Sequence, residues 1–413
     1  MPAPAAEGSI LKAHPARQAQ LLRDALAPEQ WPVPLAAFPQ GSALVGGAVR
    51  DGLLGRLSPT PDLDLVVPAD ALGAARHLAQ RYGGACVVLD EQRDMARLVV
   101  NGWTIDLARQ DGANLSADLQ RRDYRINAIA LRFSPNPQLI DPCGGLEDLK
   151  AGLVTAVAEQ NLIDDPLRLL RGIRIAAELN FAIAEDTWPL LINHRDALPQ
   201  AAPERIQAEL TKLVQAPGAD RALELLGSSG LLAPWAASPQ EHKPGHAFAL
   251  PLGTTVSRLT PEEQTTALPL VRLTRLLSDN GLQTLRFSRR QIQRCLLLRR
   301  WKDADDGDGF RSLPREQRLK LHTDLGTDLP ALIVQLSPAL QEAWLERWRD
   351  PHDPLFHPRQ PLDGTTLQQE LGIRPGPQLG QLLKHLAVEH AFGHLQNREA
   401  ALVAARQWLM TEP

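Results

Sequence analysis

The sequence predicts an α+β protein in which a small mixed β-sheet with helices near the N-terminus is followed by mostly α-helical segments. Strand-like stretches lie before residue 110, and amphipathic helical periodicity dominates the remainder. Aromatic residues make up only 4% of the 413 residues, which argues against a strand-rich sandwich. The hydrophobic fraction of 44% and the charged fraction of 22% are ordinary for a globular protein, and the length allows several domains.

The block from Ser42 to Val67 opens the predicted sheet. Its apolar run Ala43 to Val45 predicts a short buried strand, and Gly46 and Gly47 predict a tight turn before apolar residues resume at helical spacing. Two glycines let the backbone approach a ligand closely, and the free N–H groups at the start of a helix favour an anion. The turn is therefore a candidate phosphate cradle, although a Gly-Gly pair alone also fits a plain turn.

A second strand is predicted over Asp62 to Val67. Because Asp62 and Asp64 are two residues apart, both carboxylates project from one face of this strand. Neighbouring like charges are unfavourable without a cation between them, and oxygen-only ligands suit magnesium. An Asp-x-Asp pair at the start of a strand also occurs as simple turn chemistry.

The remaining elements of the sheet follow in order. We predict a helix over Ala71 to Arg81, and then three strands over Cys86 to Leu89, Arg97 to Val100 and Trp103 to Leu107. The last two strands are joined by Asn101-Gly102, a strong signal for a two-residue hairpin turn. Asp106 lies on the last strand, and taken alone it could be a satisfied polar residue or a strand-end cap. Before the sheet, a polar N-terminal lead contains one predicted helix, Gln18 to Leu26, that packs onto the next domain.

The segment around Asp165 is the second informative stretch. Pro166 reads as the first residue of a helix and Asp165 as its N-cap, so capping alone could explain this aspartate. Asp165 and Arg168 are three residues apart and meet on one side of the helix start, and Arg171 and Arg174 continue a basic stripe. This spacing pairs a hydrogen-bond acceptor with a donor.

Helices predominate in the C-terminal half. Two amphipathic helices, Glu204 to Val214 and Ala219 to Leu226, precede a break from Pro234 to Pro261 that contains proline and glycine. The stretch from Leu285 to Lys302 then carries basic residues with no acidic residue between them, and it is a candidate RNA-binding surface. Its candidate arginines are Arg286, Arg289, Arg290, Arg294, Arg299 and Arg300. A solvated helix face explains such a run equally well.

Bulk properties exclude several function classes. The formal net charge of −4 restricts any nucleic-acid contact to a local surface. The three cysteines are far apart in the sequence, which argues against a zinc ribbon or a disulfide framework. No run is long and apolar enough to be a signal peptide or a membrane span, so we expect a cytoplasmic protein with no membrane partner. The oligomeric state stays open.

Several motifs carry a resemblance to a known family. Gly46-Gly47-Ala48-Val49-Arg50-Asp51, followed by Asp62-Leu63-Asp64, resembles the opening signature of the class II tRNA nucleotidyltransferase and bacterial poly(A) polymerase family. Arg121-Arg122-Asp123 with Asn127-Ala128, and Asp165 with Arg168, match further motifs of that family. The chain departs from the family at Tyr124, where Phe is usual, and at Asp164, where Glu is usual.

The resemblance implies roles for these residues. Asp106 would join Asp62 and Asp64 as the third catalytic and metal-binding carboxylate, in a transfer that uses two Mg²⁺ ions. The residues that would bind the nucleotide are Gly46, Gly47, Arg50, Arg122, Asp123, Asn127, Asp165, Arg168, Arg171 and Arg174. Arg122 and Asp123 would contact the phosphates and the ribose, and a carboxylate that accepts from the 2′-hydroxyl would favour ribonucleotides.

The resemblance also makes Asp165 and Arg168 the template for the incoming base. Asp165 would accept from the exocyclic amine of cytosine or adenine, while Arg168 would donate to the adjacent ring nitrogen. Guanine and uracil present a carbonyl and a ring N–H at these positions, so both contacts would be mismatched. Selection of C and A over G and U follows from this pattern.

These observations predict a domain order and an activity. We expect an N-terminal extension over 1–40, a nucleotidyltransferase catalytic head over 41–150, a helical neck with the base template over 151–232, a helical body over 233–330 and a helical tail over 331–413, the last two binding tRNA. The predicted enzyme adds CMP and/or AMP from CTP or ATP to the 3′ end of tRNA. The alternatives are a poly(A) polymerase acting on other RNAs and a catalytically inactive tRNA-binding protein. Whether CCA, CC or only A is added stays open.

Overall fold

The packing divides the chain into two units, Met1–Ala233 and Pro234–Pro413. The structure is a computed structural model that describes residues 10–133, 136–236 and 258–411. Most of the break predicted over Pro234 to Pro261 lies outside the described residues. The finer division into five segments stays a prediction.

The N-terminal unit is built on a seven-stranded mixed sheet, as expected for an α+β protein. Its strands are β1 (Ala43–Val45), β2 (Leu63–Val67), β3 (Ala85–Asp90), β4 (Met95–Val100), β5 (Trp103–Arg109), β6 (Ala130–Arg132) and β7 (Gln138–Ile140). They are arranged in the order β3-β4-β5-β2-β1-β6-β7. Only the β2–β5 pair among these neighbours is parallel. A separate parallel pair consists of β8 (Leu153–Val154) and β9 (Ala182–Ile183).

Ten α-helices accompany the strands in the described part of this unit. They are α1 (Pro15–Leu26), α2 (Gly47–Leu53), α3 (Ala71–Tyr82), α4 (Leu115–Gln120), α5 (Gly145–Ala151), α6 (Glu159–Asp164), α7 (Leu167–Leu179), α8 (Thr187–Asn193), α9 (Pro203–Gln215) and α10 (Ala219–Ser229). The predicted helix over residues 18–26 is the C-terminal part of α1. This helix begins three residues earlier because Pro15 is tolerated at a first helical position.

The predicted N-terminal lead packs against the start of the sheet. A Cβ atom added at Gly52 in α2 would lie 2.4 Å from Cδ1 of Leu22 in α1, so these two helices are in close contact. Leu22 is fully buried. The N-terminal helix is therefore part of the core of this unit.

The predicted hairpin between β4 and β5 is confirmed. Asn101 and Gly102 have φ angles of 49° and 79°, as the two central residues of a type I′ turn require. This turn fixes the antiparallel register, in which Arg97 of β4 pairs with Asp106 of β5. On the other side of β5, the parallel register pairs Asp106 with Asp64 of β2. Two carboxylates that are 42 positions apart in the sequence therefore occupy neighbouring positions in the sheet.

The secondary-structure elements of the described part of the C-terminal unit are all helices. Its helices are α11 (Pro261–Leu276), α12 (Asp279–Thr284), α13 (Arg289–Asp303), α14 (Arg315–Leu325), α15 (Leu329–Ile333), α16 (Pro338–Arg349), α17 (Gly364–Leu371), α18 (Pro377–Ala391) and α19 (Arg398–Thr411). The last three helices share a leucine- and alanine-rich core. None of the described helices has the length and apolarity needed to cross a bilayer. All three cysteines are free thiols.

Candidate active site

A cleft of about 1070 Å³ opens in the N-terminal unit at the ends of β1 and β2. Every residue that the sequence predicted to bind the nucleotide lines this cleft, as do Asp62 and Asp64. These residues come from α2, from the segment after α4 and from the start of α7. The structure thus brings together stretches that span more than 120 positions of the sequence.

The glycine turn at the end of β1 directly adjoins the aspartates of β2. Gly46 has a φ of 72°, in the left-handed region that glycine adopts without strain. A Cβ atom at this position would also lie 3.0 Å from Oδ2 of Asp64. Glycine is therefore required at Gly46 both for backbone conformation and for the close approach to Asp64. Gly47 begins α2 immediately after it.

The carboxylate of Asp64 carries an electrostatic cost in this arrangement. Burial, together with the negative charge of Asp106, raises the pKa of Asp64 from 3.8 to about 6, although Arg122 and Arg171 act in the opposite direction. Asp62 adds a smaller repulsion. A site where three carboxylates crowd one another favours a divalent cation with oxygen ligands.

Asp106, the predicted third carboxylate, is engaged by another residue. Nε and Nη2 of Arg97 donate to the two carboxylate oxygens of Asp106 at 2.8 and 2.9 Å, in a bidentate cross-strand pair. In the described part of the chain, no group of three or more His, Cys, Asp or Glu side chains is arranged to hold a metal ion. Arg97 therefore holds the carboxylate of Asp106, and the assignment of Asp62, Asp64 and Asp106 as a metal-binding triad stays a prediction.

A buried polar network connects α2 with the Arg-Arg-Asp segment. Arg50 is buried, donates to both carboxylate oxygens of Asp51, and donates from Nη1 to Oδ1 of Asn127 at 2.8 Å. Asn127 in turn donates to Oδ1 of Asp123 at 3.4 Å. Arg122 pairs with Asp118 at 3.1 Å instead of joining this network. Arg50 and Asn127 therefore brace the segment that carries Asp123.

Asp123 is held ionised although it is buried. Burial alone would raise the pKa of Asp123, but Arg171 and the backbone N–H of Tyr124 outweigh this effect, so the pKa lies below its usual value. Nε of Arg171 lies 3.1 Å from Oδ2 of Asp123, and the N–H of Tyr124 donates to Oδ1 at 2.7 Å. Asp123 thus presents a fixed negative charge at the wall of the cleft.

Tyr124 links that segment to the start of α7. Its ring is fully buried, and its hydroxyl donates to the backbone carbonyl of Arg168 at 2.7 Å. A Cβ atom added at Gly172 would lie 2.1 Å from this hydroxyl oxygen. Tyr124 therefore has both a hydrogen-bond partner and the space that its hydroxyl needs.

Asp165 and Arg168 lie at the junction of α6 and α7. The prediction that Pro166 is the first helical residue and Asp165 its N-cap is corrected by one position, since α7 begins at Leu167 and Pro166 occupies the cap. Oδ1 of Asp165 still accepts from the N–H of Leu167 at 3.3 Å. Nη1 of Arg168 donates to the carbonyls of Arg121 and Asn161 at 3.0 and 2.9 Å. Among the described residues, Nη2 and Nε of Arg168 have no acceptor.

Arg205 was not predicted, yet it holds the carboxylate of Asp165. Its Nη2 and Nη1 donate to Oδ2 and Oδ1 at 2.8 and 3.3 Å. Burial would raise the pKa of Asp165, but the hydrogen bond and charge of Arg205 lower it below the usual value. Arg205, Glu209 and Lys212 of α9 follow one another at helical spacing: Arg205 pairs with Asp165, Glu209 pairs with Arg174, and Lys212 lines the cleft. That i, i+4, i+7 pattern of polar residues was the available sequence signal.

Arg174, the last residue of the predicted basic stripe, is paired within the unit. It is buried, and its guanidinium pairs with Glu209 of α9 and with Glu178 of α7. Two carboxylates therefore neutralise Arg174, whereas Arg171 pairs with Asp123. The sequence of one helix predicts which of its residues share a face, but not which charged residues of a neighbouring helix lie against that face.

The basic helix α13 in the C-terminal unit divides into two groups of arginines. Arg294 makes a bidentate pair with Asp328 at 2.6 and 2.7 Å, and Arg299 donates to the carbonyls of Thr274 and Leu277 at 2.9 and 2.7 Å. Arg294 and Arg299 are therefore engaged within the unit, and their predicted contact with an RNA phosphate backbone stays a prediction. Arg286, Arg289, Arg290 and Arg300 are exposed.

Comparison with known proteins adds independent information. Residues 42–155 match the model of the "Poly A polymerase head domain", and residues 180–239 match the model of the "Probable RNA and SrmB- binding site of polymerase A". The chain is 33% identical to a CC-adding tRNA nucleotidyltransferase of Synechocystis sp., over 92% of this chain and 96% of that protein. It is 30% identical to an A-adding tRNA nucleotidyltransferase of Deinococcus radiodurans, over 92% of this chain and 98% of that protein.

A solved structure shares the fold. A CCA-adding enzyme in complex with CTP superposes with a TM-score of 0.69 at 24% identity, and the match covers 90% of this chain and 91% of that structure. At this identity the likeness establishes the architecture. The predicted combination of a mixed-sheet head and a helical remainder is confirmed.

Proposed function

This chain belongs to the class II tRNA nucleotidyltransferase and bacterial poly(A) polymerase family, and from that premise we propose that it transfers CMP and/or AMP from CTP or ATP to the 3′ end of tRNA, releasing pyrophosphate. The observation that carries the proposal is the joint presence, in one cleft, of the glycine turn, the aspartate pair and the Asp165–Arg168 pair. The proposed setting is the cytoplasm.

Base selection rests on Asp165 and Arg168. Arg205 holds the Asp165 carboxylate in one orientation, and two backbone carbonyls hold Nη1 of Arg168. A carboxylate offers about four acceptor positions, so Asp165 can still accept from the amine of cytosine or adenine. The unpartnered Nη2 and Nε of Arg168 can donate to the adjacent ring nitrogen. Guanine or uracil would leave both groups unsatisfied, at a cost of about 1–3 kcal/mol each.

The sugar and phosphates are assigned to the wall around Asp123. The ionised Asp123 can accept from the ribose 2′-hydroxyl, since carboxylates retain acceptor capacity beyond the bonds from Tyr124 and Arg171. The N-terminal N–H groups of α2 and the side chain of Arg122 supply positive charge for the triphosphate. Arg50 positions the wall of the cleft without contacting the phosphates itself, because its guanidinium is hydrogen-bonded to Asp51 and Asn127.

The family uses divalent metal ions, and for this chain we assign Mg²⁺ to Asp62 and Asp64. The raised pKa of Asp64 and the all-oxygen donor set fit such an ion. Asp106, whose carboxylate is held by Arg97, would be the third ligand of such an ion. An ion held there would supply a lowered pKa for the attacking 3′-hydroxyl and stabilisation of the leaving pyrophosphate. The residues of the chain supply orientation, base choice and exclusion of wrong nucleotides.

The tRNA-binding assignment rests on exposed arginines of the C-terminal unit. Arg289, Arg290 and Arg300 are exposed and lie on or beside the same helix, α13. Substituting them should weaken binding to any RNA and reduce its salt dependence, because phosphate contacts release counterions. Arg286 precedes this helix and is retained as a fourth candidate.

One incorporation experiment tests the proposal and defines the product. Three tRNA transcripts, lacking CCA, lacking only the terminal A, or complete, are incubated with CTP or ATP supplied separately, and an unstructured RNA is included to detect polyadenylation. CTP incorporation on the first transcript alone identifies CC addition, and ATP incorporation on the second alone identifies A addition. Activity on both identifies CCA addition. ATP incorporation on the unstructured RNA favours the poly(A) polymerase, and absence of incorporation in every arm overturns the enzymatic proposal.

Variants separate the proposed roles. Asp62→Ala and Asp64→Ala should abolish incorporation while tRNA binding and folding persist, and retained incorporation by both would end the metal assignment. Asp165→Ala should keep part of the transfer activity but reduce the preference for C and A over G and U by about tenfold, the equivalent of one lost hydrogen-bond pair. An unchanged preference would leave Asp165 as a structural cap. Asp196→Asn is the matched control, because it changes an exposed carboxylate to which the proposal gives no role.

A further inference from the structure

The sheet of the N-terminal unit ends at β3 on one side and at β7 on the other. β7 is three residues long, and α1 packs beside it. β3 is six residues long, and among the described residues it pairs with β4 alone. Its outer edge therefore carries backbone N–H and C=O groups without a strand to pair with, and the proposed nucleotidyl transfer assigns no role to this edge.

Exposed apolar side chains are concentrated at the same edge. The described residues include seven large apolar side chains that are exposed, and four of them, Val87, Val88, Leu89 and Val99, lie on β3 and β4. Val88 pairs with Ala96, which is fully buried on the face of the sheet that α3 covers. Val88 is nevertheless 44% exposed, because no strand lies on its other side in the described part of the chain. The exposure thus reports a missing neighbour in the plane of the sheet.

The edge lacks the features that normally prevent a strand from pairing with another chain. Natural sheets use charged side chains, proline and bulges for this purpose. Residues 85–89 contain no charged residue and no proline, and the register shift in the β3–β4 pair lies at the end of the strand, between Val88 and Asp90. Ala85 to Val88 therefore form a regular apolar edge that another strand can extend.

The two ends of β3 carry opposite charges. Arg81 lies in the last turn of α3, just before the strand, and Glu91 follows the strand directly. Both side chains are exposed, and neither forms an ion pair in the part of the chain that the structure describes. Arg93, in the turn after Glu91, already lies 3.8 Å from Asp90. Each copy of the strand therefore has a free positive charge at its start and a free negative charge at its end.

We propose that two copies of this chain associate through their β3 strands, which pair antiparallel about a twofold axis and join the two sheets into one. Antiparallel pairing brings Arg81 of each copy towards Glu91 of the other, so opposite charges meet at both ends. Parallel pairing would place like charges together at both ends, which is unfavourable. An unrelated partner would have to reproduce this charge pattern, whereas a second copy supplies it. Main-chain hydrogen bonds hold the pair, and burial of Val87 and Val88 adds to its stability.

Sedimentation velocity of the full chain across micromolar concentrations measures the association. Val88→Lys introduces the kind of charge that protects natural edge strands, and it should raise the dissociation constant of the dimer at least about tenfold. Val403→Lys is the matched control, because Val403 is 47% exposed on α19, and it should leave the dimer unchanged. Thermal unfolding of both variants checks that they remain folded.

A charge exchange tests the antiparallel arrangement without changing any apolar residue. Arg81→Glu makes both ends of the strand acidic and Glu91→Arg makes both ends basic, so each variant alone should associate at least about fivefold more weakly than the parent. An equimolar mixture of the two variants restores opposite charges at both ends, so it should form a mixed dimer with the affinity of the parent. A mixture that associates no better than either variant alone contradicts the antiparallel pairing.

Disulfide formation locates the twofold axis. The test compares the natural Cys86 with single cysteines introduced by Ala85→Cys, Val87→Cys or Val88→Cys, each combined with Cys86→Ser. The residue on the axis faces its own copy at a Cα distance of about 4.5–5.5 Å, which a disulfide bridges. One position away, the two copies are offset by about 6.6 Å along the strands, so their Cα atoms lie about 8 Å apart and cannot be bridged. We therefore expect one strongly cross-linked position within residues 85–88, identified by mass spectrometry of the linked peptide.

Three results would overturn the proposal. The first is a monomer at every concentration, and amides of β3 that resist hydrogen exchange in that monomer would assign the edge to another segment of the same chain. The second is a dimer that Val88→Lys leaves unchanged and that forms no cross-link within residues 85–88, because such a dimer uses another surface. The third is failure of the charge exchange. If Val88→Lys loses its thermal transition, the charge exchange and the cross-links decide.

Discussion

Replacing Asp64 with Asn should stabilise the protein while it removes the activity. The pKa of Asp64 is raised from 3.8 to about 6, so the folded state disfavours the ionised carboxylate relative to the unfolded chain. A shift of about two pH units corresponds to about 3 kcal/mol of lost stability when the group is ionised. Asn keeps the shape of the side chain and carries no charge, so the variant escapes this cost.

The sign of the effect fixes its pH dependence. A carboxyl group with a raised folded-state pKa destabilises the protein above that value and has no effect below the unfolded-state pKa. The stability difference between Asp64→Asn and the parent should therefore reach about 3 kcal/mol near pH 8, fall to roughly half near pH 5 and vanish below about pH 4. The parent protein should lose stability as the pH rises through this window.

Thermal unfolding of the N-terminal unit in the presence of EDTA measures this difference. Chelation matters because a bound cation would offset the repulsion among the carboxylates. Asp196→Asn, where the carboxylate side chain is 94% exposed, should leave the unfolding temperature unchanged at every pH. Adding Mg²⁺ should stabilise the parent but not Asp64→Asn. If Asp64→Asn gains equal stability at pH 4 and pH 8, the electrostatic reasoning is refuted and the effect is attributed to packing. If Asp64→Asn gains no stability at pH 8, the reasoning is refuted outright.

Three further predictions concern the groups around the cleft. Arg97→Gln releases Asp106 from its bidentate pair. A Mg²⁺ titration of nucleotide incorporation should therefore reach half-maximal activity at a concentration at least about twofold lower than in the parent, and an unchanged midpoint would contradict competition between Arg97 and the metal. Tyr124→Phe removes the hydroxyl that donates to the carbonyl of Arg168, so it should lower the free energy of chemical unfolding by about 1 kcal/mol and increase misincorporation of GMP and UMP. Fidelity equal to that of the parent would show that this hydrogen bond does not position Arg168. Gly172→Ala would place a Cβ atom 2.1 Å from the same hydroxyl oxygen. This overpacking should lower the free energy of unfolding by about 1–3 kcal/mol in the same unfolding experiment, and parent-like stability would contradict the prediction.

The sequence by itself determined the local elements and the identity of the main chemical groups. Asn101-Gly102 specified the hairpin, because few other residue pairs adopt two successive positive φ angles easily. The alternation of Asp62 and Asp64 and the glycines at Gly46 and Gly47 predicted a strand, a turn and a helix that the structure contains. These features depend on backbone conformations over a few residues, and such preferences are readable from sequence.

Only the tertiary structure decided which charges are available. Arg97 neutralises Asp106, and Arg205 holds Asp165 from a helix 40 positions further along the chain. Arg174, which continues the basic stripe of its own helix, is buried against Glu209 of α9. Helical periodicity shows which residues share a face, whereas the neighbour that covers this face is set by long-range packing, and that neighbour decides whether a charge is free to bind a ligand.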